Sequence, residues 1–381
     1  MSQEVAIPIE SPRHFMGQEI PGEITSLGAP GDYKPCIAKL PSGELVLVAF
    51  SALQLQGPVK QHREEILLFR SDDGGRSWSK PQNLTAEMGL VGRESYFTIL
   101  GDGTMFLTVT LTPTDVRNTG GYNQAWVHRS EDGGRTWTSV LAEPAGLDPA
   151  TAATSTTRNI LEMQDGSLLL GVGGRGLGLP HRDYFWRSHD QGRTWSERYP
   201  AQIAGLAEEY QGFLWEAFLW QARSGKVLLL ARVDPRHLPQ PGDAIPDSGA
   251  FSDQYERMAI YETTDEGRTV RPVRGLGVVG EMYPAILRLQ DGRLLLTFTV
   301  RELHRPLGVR AVVGEEYHDD VQFDMTNDRL VLDAKTPSDM DSGGGFGPTV
   351  QIEDETLVTS YSWRDAEHIS HVEVVRWRLP D

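Results

Sequence analysis

Read for polarity alone, the chain repeats one figure: an apolar run, a turn carrying Gly or Asp, and a second apolar run. The copies read CIAKLPSGELVLVAF, FTILGDGTMFLTVT, ILEMQDGSLLLGVG, FLWQARSGKVLLLAR, ILRLQDGRLLLTFT and TVQIEDETLVTSYS. Their turns fall at Gly43, Gly103, Gly166, Gly225, Gly292 and Glu355, so the steps are 60, 63, 59, 67 and 63 residues. Asp-Gly or Ser-Gly between two strand-like runs predicts a hairpin, because the turn needs positive φ and Gly adopts it without steric cost. The second run of each copy is apolar at consecutive positions, which suits a strand covered on both faces.

A second hairpin is laid over the first. Ser71-x-Asp73-x-Gly75-x-Ser77-Trp78, Ser130-x-Asp132-x-Gly134-x-Thr136-Trp137 and Ser188-x-Asp190-x-Gly192-x-Thr194-Trp195 share one pattern, and Thr263-x-Asp265-x-Gly267-x-Thr269-Val270 is a degraded copy. In each, the Asp carboxylate is placed to accept bonds from turn amides and the Gly to supply the bend. Acidic residues on separate turns cannot converge on one substrate, so these are structural rather than catalytic or calcium-binding. Two hairpins in each of six units make six four-stranded sheets. The expected fold is all-β, a six-bladed β-propeller spanning residues 1–381 as one domain. The sixth unit is one strand short, so a segment around Phe15 to Ile24 is expected to complete it and close the ring, which protects otherwise open edges.

Composition narrows the function. With 36 Lys+Arg against 53 Asp+Glu the net charge is −17, which argues against nucleic acid or an anionic membrane as a partner. A single cysteine, Cys36, leaves no disulfide framework and no thiol pair for zinc. No apolar run is long enough to span a bilayer. The opening MSQEVAIPIESPRHFM has no basic stretch followed by an apolar one. The chain as written is therefore expected in the cytoplasm, or in a secreted or periplasmic setting where Met has replaced a native leader. No His-Glu-x-x-His, EF-hand or phosphate-loop pattern is present, and no cofactor or metal is expected.

The Ser-x-Asp-x-Gly-x-Thr-Trp element resembles the Asp-box, or BNR repeat, of the sialidase (neuraminidase) superfamily, and within a sixfold repeat the resemblance covers nearly the whole chain. It implies carbohydrate chemistry on the propeller axis. Sialidases typically carry an Arg, then Ile or Val, then Pro at the start of the first inner strand, as part of an arginine triad that grips the sialate carboxylate. Here the stretch is Asp32-Tyr33-Lys34-Pro35, and a Lys cannot make the bidentate fork of an Arg.

Functional groups belong at the channel mouth, where inner strands begin and where the second and third strands are joined. Aligning the inner strands on their turns brings Lys34, Arg93 with Glu94, Arg158, Glu216, Glu281 with Tyr283, and Phe346 towards that mouth. Charges around a narrowing channel are costly unless paired or used. The connecting loops add His62 and Arg63, Arg117 and Asn118, Arg175, His181 and Arg182, Arg236 and His237, Arg301, His304 and Arg305, and Trp363, Arg364 and His368. Every loop has an Arg and five of the six have a His, half of the chain's 10 histidines. A histidine there suits general acid or base work near neutral pH. Tyr210, Trp215, Tyr283, Phe346, Tyr361 and Trp363 are candidates to stack on sugar faces, with Trp363 foremost because it lies in a loop.

Three functions fit this pattern. The leading expectation, implied by the resemblance, is a sialidase-like exo-glycosidase of acidic sugars. Arg93, Arg158 and Arg301 would hold the carboxylate, Lys34, Glu94 and Trp363 would line the substrate, and Glu216 with Tyr283 or Tyr361 would form the nucleophile pair. The second is a polysaccharide lyase, in which a cation acidifies the C–H beside a uronate carboxylate and a His or Tyr, with His62 and His304 as candidates, removes the proton. The third is a noncatalytic carbohydrate-binding propeller. The expected partner in each case is an acidic oligosaccharide or glycoconjugate. The acidic total does not oppose it, since screening confines exposed charges to about 8 Å.

Overall fold

Each apolar run of the repeat is a strand. In the first unit Asp32–Lys39, Leu45–Leu55, Gln61–Ser71 and Gln82–Asn83 pair in order as one antiparallel sheet. The same plan recurs around the ring in a computed structural model that describes residues 2–380 apart from 18, 56–60, 119–122, 143–152, 176–181, 205–215, 237, 244–252, 302–304 and 339–343. The described strands form six sheets, the blades of a propeller, and the described α-helix is confined to Leu84–Met88. The inner hairpin turns have the expected left-handed residue, with φ of 88° at Gly43, 91° at Gly225 and 90° at Gly292. Glu355 fills that role in the sixth blade at φ 65°.

The consecutive apolar runs are buried on both faces, as a strand between neighbouring blades must be. Every residue from Leu45 to Phe50 is at most 1% exposed. One face of this strand packs with Val358, Val372 and Val374 of the sixth blade, and the other joins a cluster with Leu107 of the second. Each fully buried Leu or Val in these seams contributes roughly 1.5–3 kcal/mol.

The ring closes through the chain's N-terminal part. Ile20–Leu27 supplies the fourth strand of the sixth blade, with Leu27 opposite Val372 and Ile24 opposite Val375. It begins a few residues later than the expected segment. Gln3–Ile7 adds a further strand outside it, and Ile9–Glu10 pairs with Arg329–Thr336 of the fifth blade. Arg376 ties the closed blade to the first, its Nε donating to the Gly74 carbonyl at 2.9 Å and its Nη1 to Glu23 at 2.7 Å.

The repeated Asp turns are structural. Asp132 accepts from the amides of Arg135 and Thr136, both at 2.9 Å, and from the hydroxyls of Ser130 and Thr136. Ser130 in turn accepts from the Gly134 amide at 2.9 Å. The first, third and degraded fourth copies repeat the pattern through Asp73, Asp190 and Asp265. These turns lie at the opposite end of the blades from the inner-strand starts.

Candidate functional site

The inner strands begin with an unusual backbone. Lys34, Glu94, Glu216, Tyr283 and Phe346 have φ of 48°, 55°, 60°, 58° and 62°, although none is Gly. Each stands nine residues before the turn residue of its own hairpin, Gly43, Gly103, Gly225, Gly292 or Glu355. In the first, second and fifth blades the strand register slips at this point, between Tyr33 and Cys36, Arg93 and Tyr96, and Met282 and Ala285. A left-handed residue inside such a bulge re-aims its side chain and costs of order 1–3 kcal/mol, which surrounding packing must offset. Five blades thus direct one side chain each towards the common axis. The third blade lacks the feature at Thr157, and the next residue, Arg158, reaches the axis instead, its amide donating to the Ala217 carbonyl at 2.9 Å.

These side chains interlock. Lys34 Nζ donates to Glu94 Oε1 and lies 4.5 Å from the Phe346 ring centre. Arg93 is 3.7 Å from the same carboxylate oxygen. Burial pushes Glu94 up, but Lys34 and Arg93 outweigh it and hold the carboxyl well below the usual range. Across the axis Glu216 lies 3.7 Å from Arg158 and 3.0 Å from Arg232. Arg232 Nη1 donates to the Tyr283 hydroxyl at 2.6 Å, and its Nε lies 2.7 Å from Glu256. Tyr283 stacks on Phe346 with ring centres 4.5 Å apart, and the guanidinium of Arg158 covers both rings at 4.5 and 4.4 Å. Arg301 lies 4.8 Å from the Tyr283 ring. Burial raises the Tyr283 phenol above its ordinary value against the pull of Arg301 and Arg232.

Together they enclose a cavity of about 430 Å³ at the inner-strand starts, within the usual range for small-ligand sites. Among the described residues six cations, Lys34, Arg93, Arg158, Arg232, Arg301 and Arg364, face two carboxylates, Glu94 and Glu216. Tyr33, Tyr96 and Tyr283 complete its polar and aromatic wall, and Asn123, Ser155, Thr156 and Thr157 add neutral hydrogen-bonding groups. The arrangement can hold an anion beside a phenol and a carboxylate. Among the described residues no three His, Cys, Asp or Glu side chains are grouped so as to hold a metal ion. No helix among them is long and apolar enough to cross a membrane.

Of the residues singled out in the sequence, Lys34, Arg93, Glu94, Arg158, Glu216, Tyr283, Arg301 and Arg364 come together here. Others lie elsewhere. Tyr361 is wholly buried, and its hydroxyl donates to Glu373 at 2.8 Å in a separate group with Lys335. Trp363 stacks on His371 at 4.7 Å rather than lining the cavity. His62 lies behind Arg93, with Nε2 2.8 Å from Glu64, whose carboxylate is 3.4 Å from Arg93. Glu281 is sealed under Arg305 and Arg329. His304, with His181, His237, Tyr210 and Trp215, lies outside the described residues.

The loop arginines mostly serve the loops themselves. Arg117 folds onto Asp115 and Arg236 onto Asp234, each within two residues, while Arg63 pairs with Glu65 at 3.1 Å. The cavity's cations come instead from strands and strand ends. Arg232 was not singled out because it sits inside the apolar run VLLLARV. That position was itself a signal, since a guanidinium within a buried strand requires a partner. Tyr33 and Glu64 left no comparable mark.

Comparison with known proteins agrees with this architecture. A family model described as BNR repeat-like domain matches residues 31–294. Among solved structures, a protein of unknown function from Dyadobacter fermentans is 19% identical, with a TM-score of 0.67 over 100% of this chain and 99% of that one. The NanB sialidase from Streptococcus pneumoniae is 14% identical, with a TM-score of 0.63 over 93% of this chain and 70% of that one. Trypanosoma rangeli sialidase in complex with sialic acid is 14% identical, with a TM-score of 0.56 over 98% of this chain and 58% of that one. No curated protein matches the chain.

Proposed function

The chain belongs to the BNR repeat-like family, and from that premise we propose that it is an exo-acting glycoside hydrolase that draws a terminal, carboxylate-bearing sugar into the axial cavity. The observation that carries this reading is the excess of cations over carboxylates around a phenol already bonded to Arg232. Each charge-assisted contact to a sugar carboxylate contributes roughly 1.5–3 kcal/mol, so two or three select an acidic sugar over a neutral one. Two of the structurally similar proteins are sialidases, one of them in complex with sialic acid, and that precedent supports an acidic sugar here.

Tyr283 is the nucleophile of this reading and Glu216 its base. A neutral phenol suits the task, because an anionic carboxylate nucleophile would be repelled by the substrate's own carboxylate. The Tyr283 oxygen forms a bond to the anomeric carbon as the bond to the aglycone oxygen breaks, and the phenol proton passes to Glu216. The aglycone oxygen acquires a proton and leaves as an alcohol. Water then attacks the anomeric carbon, the sugar departs with the new hydroxyl, and the phenol regains its proton. Arg232, between the two groups, steadies negative charge on the phenol oxygen as it develops.

One observation favours a second reading: Tyr33 and Lys34, adjacent in sequence, both line the wall, and a phenol beside a cation is what β-elimination next to a uronate requires. Product analysis on sialosides and uronate-containing oligosaccharides tests both. A free acidic sugar without new ultraviolet absorbance supports the hydrolase. An unsaturated uronate supports the lyase, and binding with no product supports a noncatalytic propeller.

A further inference from the structure

The hydrolase reading leaves one proton without a donor, the one that must reach the departing aglycone oxygen. The two carboxylates of the described wall are committed elsewhere. Glu94 is locked to Lys34 and held ionised, and Glu216 lies between Arg158 and Arg232 while taking the nucleophile's proton. The phenol of Tyr283 is bonded to Arg232, and burial pushes that of Tyr96 far above its ordinary value.

Tyr33 differs from both. It lines the cavity, packs edge-on against Phe50 with ring centres 5.6 Å apart, and its hydroxyl has no hydrogen bond to a described residue. Lys34 Nζ lies 5.5 Å from its ring centre and the Arg364 guanidinium 5.3 Å. Arg301 adds a third cation, and Glu94 opposes them. Burial alone would raise this phenol, but Lys34, Arg301 and Arg364 together outweigh it and bring Tyr33 below the ordinary tyrosine value. A phenol that releases its proton into a ring of fixed cations has the properties of a general acid whose conjugate base is stabilised in place.

We propose that Tyr33 is the general acid and base of the cavity, protonating the aglycone oxygen in the first step and recovering a proton from the attacking water in the second. This rests on the hydrolase reading. The protons balance: the Tyr33 proton leaves with the alcohol as the bond from the anomeric carbon to Tyr283 forms. The Tyr33 phenolate then takes a proton from water as the water oxygen bonds to the anomeric carbon. As that step releases Tyr283, its oxygen recovers the proton held by Glu216.

The test is Tyr33→Phe, which keeps the ring and its contact with Phe50, on a pair of substrates with the same acidic sugar. One carries a 4-nitrophenyl group, which leaves without protonation, and the other an alkyl group, which does not. The expected result is a loss of about 10²-fold or more in kcat/KM for the alkyl glycoside with kcat/KM for the nitrophenyl glycoside within a few-fold of wild type. Azide, which needs no base, should raise turnover of the nitrophenyl substrate by the variant and yield the glycosyl azide. Independently, an ultraviolet titration of the wild type should show one phenol ionising ahead of the others. It should be absent in Tyr33→Phe and moved to higher pH in Arg364→Gln. If the wild type cleaves neither glycoside, the hydrolase reading falls and the Tyr33 assignment with it. If the wild type cleaves both and Tyr33→Phe is impaired equally on the two or on neither, or no early phenol disappears, the Tyr33 assignment alone is overturned.

Discussion

Arg232 binds the Tyr283 hydroxyl at 2.6 Å with one terminal nitrogen while the other lies 3.0 Å from Glu216. The guanidinium fork therefore sets the spacing between a phenol and a carboxylate that come from different blades. A lysine keeps the charge and loses the fork. In Arg232→Lys, kcat/KM on an acidic glycoside should fall about 10²-fold, the magnitude of losing one preorganised donor. Steady-state kinetics on the folded variant check this, and unchanged kinetics would remove Arg232 from the reaction.

Arg93 is steadied from behind by Glu64. That carboxylate is fully buried, with Oε1 2.8 Å from His62 Nε2, 3.2 Å from Thr112 Oγ1 and 3.4 Å from Arg93 Nη1. Glu64→Gln removes the charge that positions the guanidinium without touching the nucleophile pair. KM should rise about tenfold with kcat nearly unchanged, the mark of weakened uniform binding. A fall in kcat at constant KM would instead place Glu64 in the chemistry.

The Asp turns should matter for stability and not for rate. Asp132→Ala removes an acceptor for two amides and two hydroxyls, at a cost of about 1–3 kcal/mol, with kcat/KM unchanged. Burial raises the Asp132 carboxyl, but bonds from Thr136, Ser130 and Arg135 outweigh it and hold the group below its ordinary 3.8. The stabilisation is therefore complete above that value and is lost as pH falls below it. Urea midpoints of wild type and variant should converge on acidification.

Asp333 should behave in the opposite sense. Burial raises it from 3.8 to about 7, with Glu373 adding to the rise and Lys335 and Arg310 opposing it, and its Oδ2 has no hydrogen-bond partner among the described residues. Its contribution is complete below pH about 4 and is lost as pH rises through about 7. Relative to Asp333→Asn, the wild type should lose urea resistance between about pH 4 and 7. Parallel profiles for the two would mean that Asp333 does not carry this dependence.

The blades were legible because their signal is local. A Gly in a two-run hairpin and a Ser-x-Asp turn each declare themselves within about ten residues, and the repeat multiplies the evidence. Even Glu355, which breaks the Gly rule, was located by its interval and adopts the same backbone. Half of the site was legible by the same means, because Lys34, Glu94, Glu216 and Tyr283 hold a fixed offset from their turns. The other half depends on contacts between blades. Tyr33 is one residue from Lys34 and looked like ordinary strand, and only the approach of Arg301 and Arg364 makes its phenol unusual. Loop arginines misled for a related reason. Sequence shows that Arg117 and Arg236 are near the mouth but not that Asp115 and Asp234 already hold them.

The pairing of Leu27 with Val372 has a consequence for how the molecule is made. A ribosome releases Ile20–Leu27 long before it releases Ser370–Trp377, so this strand, paired on one edge with Gln3–Ile7, must wait with its other edge open while five blades form. Until then its apolar positions and free amides are open to chaperones, proteases and other nascent chains. Slowing elongation after the first blade should therefore lengthen that window and reduce the yield of native protein, even though no residue of the finished ring has changed.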